Sequence, residues 1–209
     1  MKRVYFVRHG ETDGNMRKVY QSPDVPLSEK GLAGAKAVAE RLATLPIDSI
    51  IASDFKRAQQ TAAVIQLVTD RALATSSYIH EVMNAKYMWG VPIDGEVGLA
   101  YAQERKAGFL TPSWSPDGAE NYFLVSARVN ATIALLEAHA DQHIAVVTHG
   151  NFVKFLTARL LLNKREDVES NMAVYRSLER MSNVGITEFV YHDRAWHLFT
   201  YNDHAHFAE

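Results

Sequence analysis

The chain has no cysteine, which excludes a disulfide framework, thiolate metal sites and thiol nucleophiles together. It also lacks an excess of one charge: 22 Lys and Arg stand against 24 Asp and Glu, a formal net charge of -2. No global field then draws it to nucleic acid or to an anionic membrane, and its partners must be recognised locally. Long apolar runs are missing too. The run after Lys2 and Arg3 stops at Val7, too short for a signal-peptide core, and no later stretch is long enough to span a bilayer, so a cytoplasmic location is expected. No internal repeat, low-complexity segment or long Gly/Pro/Ser linker interrupts the 209 residues, and one domain over residues 1–209 is expected. Hydrophobic residues make up 47% of the chain, enough for a sizeable core, which excludes disorder.

What is present is an alternation of apolar runs and helical patterns. Residues 3–7 read as a strand that ends in a loop over 10–24. Ser28 then opens a helix with Leu32, Ala35, Val38, Ala39 and Leu42 on one face. Residues 48–52 form a second strand, followed by a helix capped by Ser53 or Asp54 and carrying Ala58, Ala62, Ile65 and Val68. Residues 72–79 are a weaker strand candidate, 120–140 a long helix, 144–148 a buried strand and 153–162 the helix behind it. Residues 185–191 and 196–201 flank a connection of hairpin length and finish the sheet. Between Glu81 and Gly118 the periodicity fails, and residues 82–117 read as a small lid insertion over the sheet. The expected class is α/β: a three-layer α/β/α arrangement with a mostly parallel central sheet flanked by helices. Such sheets hold ligands at the carboxyl ends of their strands.

Three polar elements fall at that edge. Arg8-His9-Gly10 follows the first strand, Ser53-Asp54-Phe55-Lys56-Arg57 the second, and His149-Gly150 the strand over 144–148. Two Arg, two His and the N–H groups of a helix start suit a doubly charged phosphoryl group. Arg57 in a first helical turn, where a cation is electrostatically disfavoured, points the same way. A neutral imidazole whose other nitrogen is fixed can attack phosphorus while arginines balance the equatorial charge, so His9 is the expected nucleophile and neither metal nor cofactor is expected. The departing alkoxide needs a proton. Glu81, just past the 72–79 segment, is the best donor, with Asp94, Glu96 and Glu104 as rivals in the insertion.

Together these runs resemble the histidine phosphatase superfamily, in its phosphoglycerate mutase-like branch. The matching pieces are Arg8-His9-Gly10-Glu11-Thr12 with Asn15, Pro26-Leu27-Ser28-Glu29-Lys30-Gly31, Ser53-Asp54-Phe55-Lys56-Arg57-Ala58 through Thr61-Ala62, and Val147-Thr148-His149-Gly150. The resemblance implies that His9 accepts the phosphoryl group, that Arg8, Arg57 and His149 bind it, that Asn15 and Gln21 add substrate contacts, and that Glu81 is the proton donor. Ser22 stands where the family usually has Gly, and Gly118-Ala119-Glu120-Asn121 replaces a Gly-Glu-Ser pattern, so Glu120 receives no role.

The leading expectation is a phosphatase that hydrolyses a small phosphorylated metabolite through phosphohistidine. Its rivals are a cofactor-dependent phosphoglycerate mutase and a non-catalytic phosphate-binding module. Residues 82–90 miss the Tyr-Gly pattern usual in the mutases, and the chain is shorter than they are, which favours water as acceptor. The insertion, with Lys86, Arg105 and Lys106, suits sugar phosphates, nucleotide-derived esters, phosphoamino acids or phosphoprotein. A homodimer is left open. Trp89, Tyr87, Trp114 and Tyr122 are read as packing, and His204 and His206 as tail residues rather than metal ligands.

Overall fold

The computed structural model describes residues 1–162 and 167–207; residues 163–166 and 208–209 of the expected 1–209 span lie outside it. Its strands are β1 (Lys2–Arg8), β2 (Ser49–Ser53), β3 (Ala72–Ser76), β4 (His143–Thr148), β5 (Ile186–His192) and β6 (Ala195–Asp203). They form one sheet in the order β3-β2-β4-β1-β5-β6. β3, β2, β4 and β1 are mutually parallel, with Ile144 of β4 opposite both Val4 and Ser49. β5 and β6 add an antiparallel edge. The central strands β1, β2 and β4 are buried almost throughout, which explains why they read as continuous apolar runs rather than as alternation. The hairpin between β5 and β6 turns through Asp193 and Arg194, both at positive φ (52° and 62°), a geometry whose twist matches paired strands.

The helices are α1 (Asp13–Met16), α2 (Glu29–Ala43), α3 (Lys56–Thr69), α4 (Glu96–Gly108), α5 (Tyr122–Ala138), α6 (Gly150–Leu162) and α7 (Val168–Ser177). Successive strand residues point to opposite faces. Tyr5, Val7, Ile50, Ala52, Ala145 and Val147 therefore pack on one side with Val38, Ala39 and Leu42 of α2 and Ala58, Ala62 and Ile65 of α3. Val4, Phe6, Ile51, Ile144 and Val146 pack on the other with Val125, Val129 and Leu136 of α5 and Phe152, Val153 and Leu156 of α6. The three-layer α/β class stands. No helix among the described residues is long and apolar enough to cross a membrane.

Several local expectations need correction. Leu32 is 46% exposed, so the apolar face of α2 begins at Ala35. Val68 is likewise exposed at the end of α3. The residue capping α3 is Phe55, without a side-chain bond, and not Ser53 or Asp54; Ser53 is held in β2 and its hydroxyl is used inside the site. The strand expected over 72–79 stops at Ser76, where a 3-10 turn over Ser77–Ile79 takes over. Asn121 caps α5, its Oδ1 accepting from the N–H groups of Phe123 and Leu124, so that helix starts at 122 and not at 120. The stretch without periodicity contains α4, which buries only Gly98 and Tyr101 and leaves Val97 and Leu99 in solvent. A helix with so narrow a buried face carries almost no amphipathic signal.

Candidate active site

At the carboxyl ends of the parallel strands lies a cavity of about 330 Å³. Arg8, His9, Asn15, Gln21, Arg57 and Glu81 all line it. His149 does not; it stands behind His9, fully buried, with ring centroids 5.1 Å apart. None of Asp94, Glu96 and Glu104 lines the cavity.

His9 follows β1 directly, and its backbone N–H donates to Thr148 O at 2.9 Å. The next turn is held against two helices. Gly10 N donates to Thr61 Oγ1 of α3 at 3.0 Å, and Thr61 passes its own hydrogen to Arg57 O at 2.8 Å. Gly10 also abuts the backbone of Gly31 in the first turn of α2, where a Cβ on either glycine would collide with main-chain atoms. That contact is the physical reason why Ser28 to Gly31 belong with the site.

The ring of His9 is fixed by the same turn. Its Nδ1 lies 2.6 Å from Gly10 O. A carbonyl can only accept, so Nδ1 carries the hydrogen and Nε2 keeps its lone pair. Arg57 Nε donates to that lone pair at 3.2 Å. Burial, then the positive charges of Arg57 and Arg8, hold the imidazole well below its ordinary value, so it is neutral at pH 7. His149 is neutral for similar reasons: burial first, then Arg57 and His9. Ser53 Oγ lies 2.9 Å from His149 Nε2 and accepts from Phe55 N at 3.2 Å. The Ser53 hydroxyl also lies 3.4 Å from Asp54 Oδ1, and His149 Nδ1 is buried without a partner among the described residues. A buried, unpaired ring nitrogen this close to His9 can serve an anion as a donor when it carries the hydrogen.

Arg8 and Arg57 supply the charge. Burial and then the neighbouring Arg180 pull Arg8 down to about 10, and burial pulls Arg57 down to about 10, so both remain cationic at neutral pH. Arg8 Nη1 is anchored to Met181 O at 2.5 Å, and Arg57 Nη1 to Ser22 O at 2.9 Å. Gly150 leaves less of a close approach than its position after His149 suggests: a Cβ there would meet the Arg8 side chain at 3.5 Å, an ordinary contact.

Glu81 reaches over to the N-terminus of α6. Its Oε1 accepts from Val82 N at 2.8 Å and Phe152 N at 3.1 Å, and its Oε2 from Asn151 N at 3.2 Å. A part-buried ion pair holds the segment that carries it. Arg128 Nε and Nη2 each lie 2.7 Å from the Glu120 carboxylate, while Arg128 Nη1 donates to Tyr78 O at 2.8 Å and His80 O at 3.0 Å. Glu120 Oε2 also accepts from Met83 N at 3.0 Å. Glu120 is thus a brace for residues 78–83, away from the cavity lining.

Asn15 and Gln21 meet at Thr12. Asn15 Oδ1 accepts from Thr12 N at 3.1 Å, and Thr12 Oγ1 donates to Gln21 Oε1 at 2.8 Å. Asn183, absent from the sequence reading, donates to His9 O at 2.9 Å and to Asn15 Oδ1 at 3.3 Å. Lys154 and Arg180 enter the lining in the same unforeseen way, whereas the sequence already names Ser53, in the second polar element, and Arg105, in the insertion. Tyr20 and Phe55 are the aromatic residues of the lining, while Tyr87, Trp89, Trp114 and Tyr122 stay outside it. His204 and His206 turn to the backbone carbonyls of Asn202 and Val184, and no group of His, Asp and Glu among the described residues is placed to hold a metal ion.

Fold and site together define a parallel-sheet protein with the charge and donor set that a phosphoryl group requires. Residues 4–204 match the profile of the histidine phosphatase superfamily (branch 1), and the chain belongs to that superfamily. It is 28% identical over 164 residues to the adenosylcobalamin/alpha-ribazole phosphatase of Salmonella typhimurium, covering 76% of this chain and 79% of that protein. It is 27% identical over 217 residues to phosphoglycerate mutase-like protein 4 of Arabidopsis thaliana, covering 99% and 87%. The structure of a mycobacterial glucosyl-3-phosphoglycerate phosphatase with inorganic phosphate superposes with a TM-score of 0.80 at 26% identity, covering 100% of both chains.

Proposed function

We propose that the protein is a histidine phosphatase of the acid type, which hydrolyses phosphomonoesters through a phosphohistidine on His9 Nε2. The observation that carries this reading is the tautomer of His9: the bond from Nδ1 to Gly10 O leaves the lone pair on Nε2, facing the cavity arginine. An arriving phosphoryl group takes over the Arg57 donor that now rests on Nε2. Arg8, Arg57 and His149 Nδ1, in the tautomer that carries its hydrogen there, then face its oxygens and balance their charge.

The N–P bond forms as the ester P–O bond breaks, and protonated Glu81 gives its hydrogen to the departing alkoxide. In the second half, water adds to phosphorus, its proton passes to the Glu81 carboxylate, and the N–P electrons return to imidazole. Arginines supply the charge stabilisation, so these steps require no metal. Asn15 and Gln21 brace the loop that borders the phosphoryl position.

A panel of phosphomonoesters scored by released phosphate tests this, with wild type set against His9→Ala. Incubation with 3-phosphoglycerate and a bisphosphoglycerate primer addresses the mutase alternative, which shares the same phosphohistidine. Formation of 2-phosphoglycerate without net phosphate release would replace hydrolysis by isomerisation. A protein that turns over no ester, and whose His9→Ala variant binds phosphorylated ligands equally well, would be a binding module instead.

A further inference from the structure

The phosphoryl-binding groups account for only part of the charge around the cavity. Arg105 of α4, Lys154 of α6 and Arg180 of the segment before β5 line it as well. Glu81 is the one carboxylate in that lining among the described residues, and its oxygens are occupied by N–H groups of Val82, Asn151 and Phe152. Arg105, Lys154 and Arg180 take part in none of the ion pairs found among the described residues.

Their settings differ but converge. The Arg105 guanidinium lies 4.8 Å from the Phe109 ring, and its Nε is buried without a hydrogen-bond partner. Lys154 Nζ lies 4.6 Å over the Tyr175 ring. Burial lowers the pKa of Lys154, and the charge of Glu179 offsets only part of that. Arg105 acts electrostatically on the hydroxyl of Tyr175, the residue whose ring Lys154 covers. Arg180 is close enough to act on Arg8, and it lines a neighbouring cavity of about 280 Å³ that shares Arg8 and Asn15 with the first. Arg105 and Lys154 are partly buried and Arg180 is exposed; cations that converge on one cavity and outnumber its carboxylates repel one another unless a ligand supplies the anion. A phosphomonoester brings about two negative charges, and the five cations around Glu81 exceed that.

We propose that Arg105, Lys154 and Arg180 form a second anion subsite, so that the substrate is a small phosphomonoester carrying a further anionic group, a carboxylate or a second phosphate. The proposal rests on the phosphatase reading of His9 and adds the substrate's chemical class. A cavity of about 330 Å³ suits a small metabolite.

The test uses esters on one three-carbon scaffold. Glycerol 3-phosphate and 3-phosphoglycerate differ only in a hydroxymethyl group against a carboxylate, and 1,3-propanediol bisphosphate supplies the second phosphate. The expected result at low ionic strength is a kcat/KM at least about tenfold higher for one of the two anionic esters than for glycerol 3-phosphate, with the advantage shrinking as salt is added. Which of the two leads identifies the anion. In Arg105→Gln/Lys154→Gln, and separately in Arg180→Gln, the loss should fall on the anionic ester and collapse the ratio. Equal kcat/KM values for all three esters, or a ratio that survives in these variants, would overturn the subsite while leaving the phosphatase reading intact. If no phosphomonoester is turned over, the His9 reading fails instead. Calorimetric binding of 3-phosphoglycerate and glycerol 3-phosphate to the His9→Ala protein then judges the subsite alone, equal affinities overturning it.

Discussion

Replacing Arg128 by Gln separates positioning of the proton donor from general stability. Arg128 makes two 2.7 Å contacts to Glu120 and two bonds to the carbonyls of Tyr78 and His80, the residues that lead into Glu81. The substitution leaves Glu120, whose side chain is 10% exposed, as a nearly buried charge without its cation, a loss of about 3 kcal/mol in unfolding free energy. Adding Glu120→Gln removes the orphaned charge and should recover part of that loss. Catalysis should suffer in a different pattern. A proton donor contributes roughly 10² to 10⁴ in rate, and a displacement of about 1 Å in a reacting group costs on the order of 10². For an alkyl phosphate, kcat/KM should therefore fall about 100-fold. For p-nitrophenyl phosphate, whose phenolate departs without a proton, it should fall by no more than about threefold. The ratio kcat/KM reports steps up to release of the alcohol, so the later attack of water does not blur the comparison. Equal losses on both esters, in protein shown to be folded by its unfolding transition, would refute the positioning role.

Further outcomes follow from the site geometry. His9 and His149 have folded pKa values below the ordinary 6.5, so in acid the unfolded chain binds more protons than the folded one. Stability is then complete above about pH 6.5 and declines as the pH falls below it, by up to about 1.4 kcal/mol per pH unit per histidine; urea unfolding between pH 5 and 8 should show a shallower slope for His149→Asn than for wild type. Ser53→Ala leaves His149 Nε2 without its partner, at about 1–3 kcal/mol of stability, and phosphate affinity should drop with it in calorimetry. Gly31→Ala drives a methyl into the Glu11 backbone and should lower the melting temperature and phosphatase activity together, because the same contact seats His9; overpacking of this kind costs about 1–3 kcal/mol.

Much of the site was legible in the chain because its main residues directly follow strands. Arg8 ends β1 with His9 directly after it, and His149 directly follows β4, so assigning two buried apolar runs to parallel strands was enough to bring them to one edge. Arg57 followed from the turn after β2. Glu81 is favoured over Asp94, Glu96 and Glu104 by its place just past the 72–79 segment, although all four lie in or beside the same aperiodic stretch. The first N–H groups of α6 hold its carboxylate at the cavity, whose lining the other three do not join.

The sequence by itself determined the fold class and brought Arg8, His9, Arg57 and His149 to one sheet edge, because strand periodicity is local and these residues follow or end strands. Tertiary structure alone decided that Ser53 Oγ meets His149 Nε2. It alone decided that Glu120 and Arg128 brace the donor segment, and that Arg105, Lys154 and Arg180, from three distant parts of the chain, face the same cavity as His9. Each of these depends on which non-adjacent groups meet in space. Neighbouring residues in the chain hold no record of that.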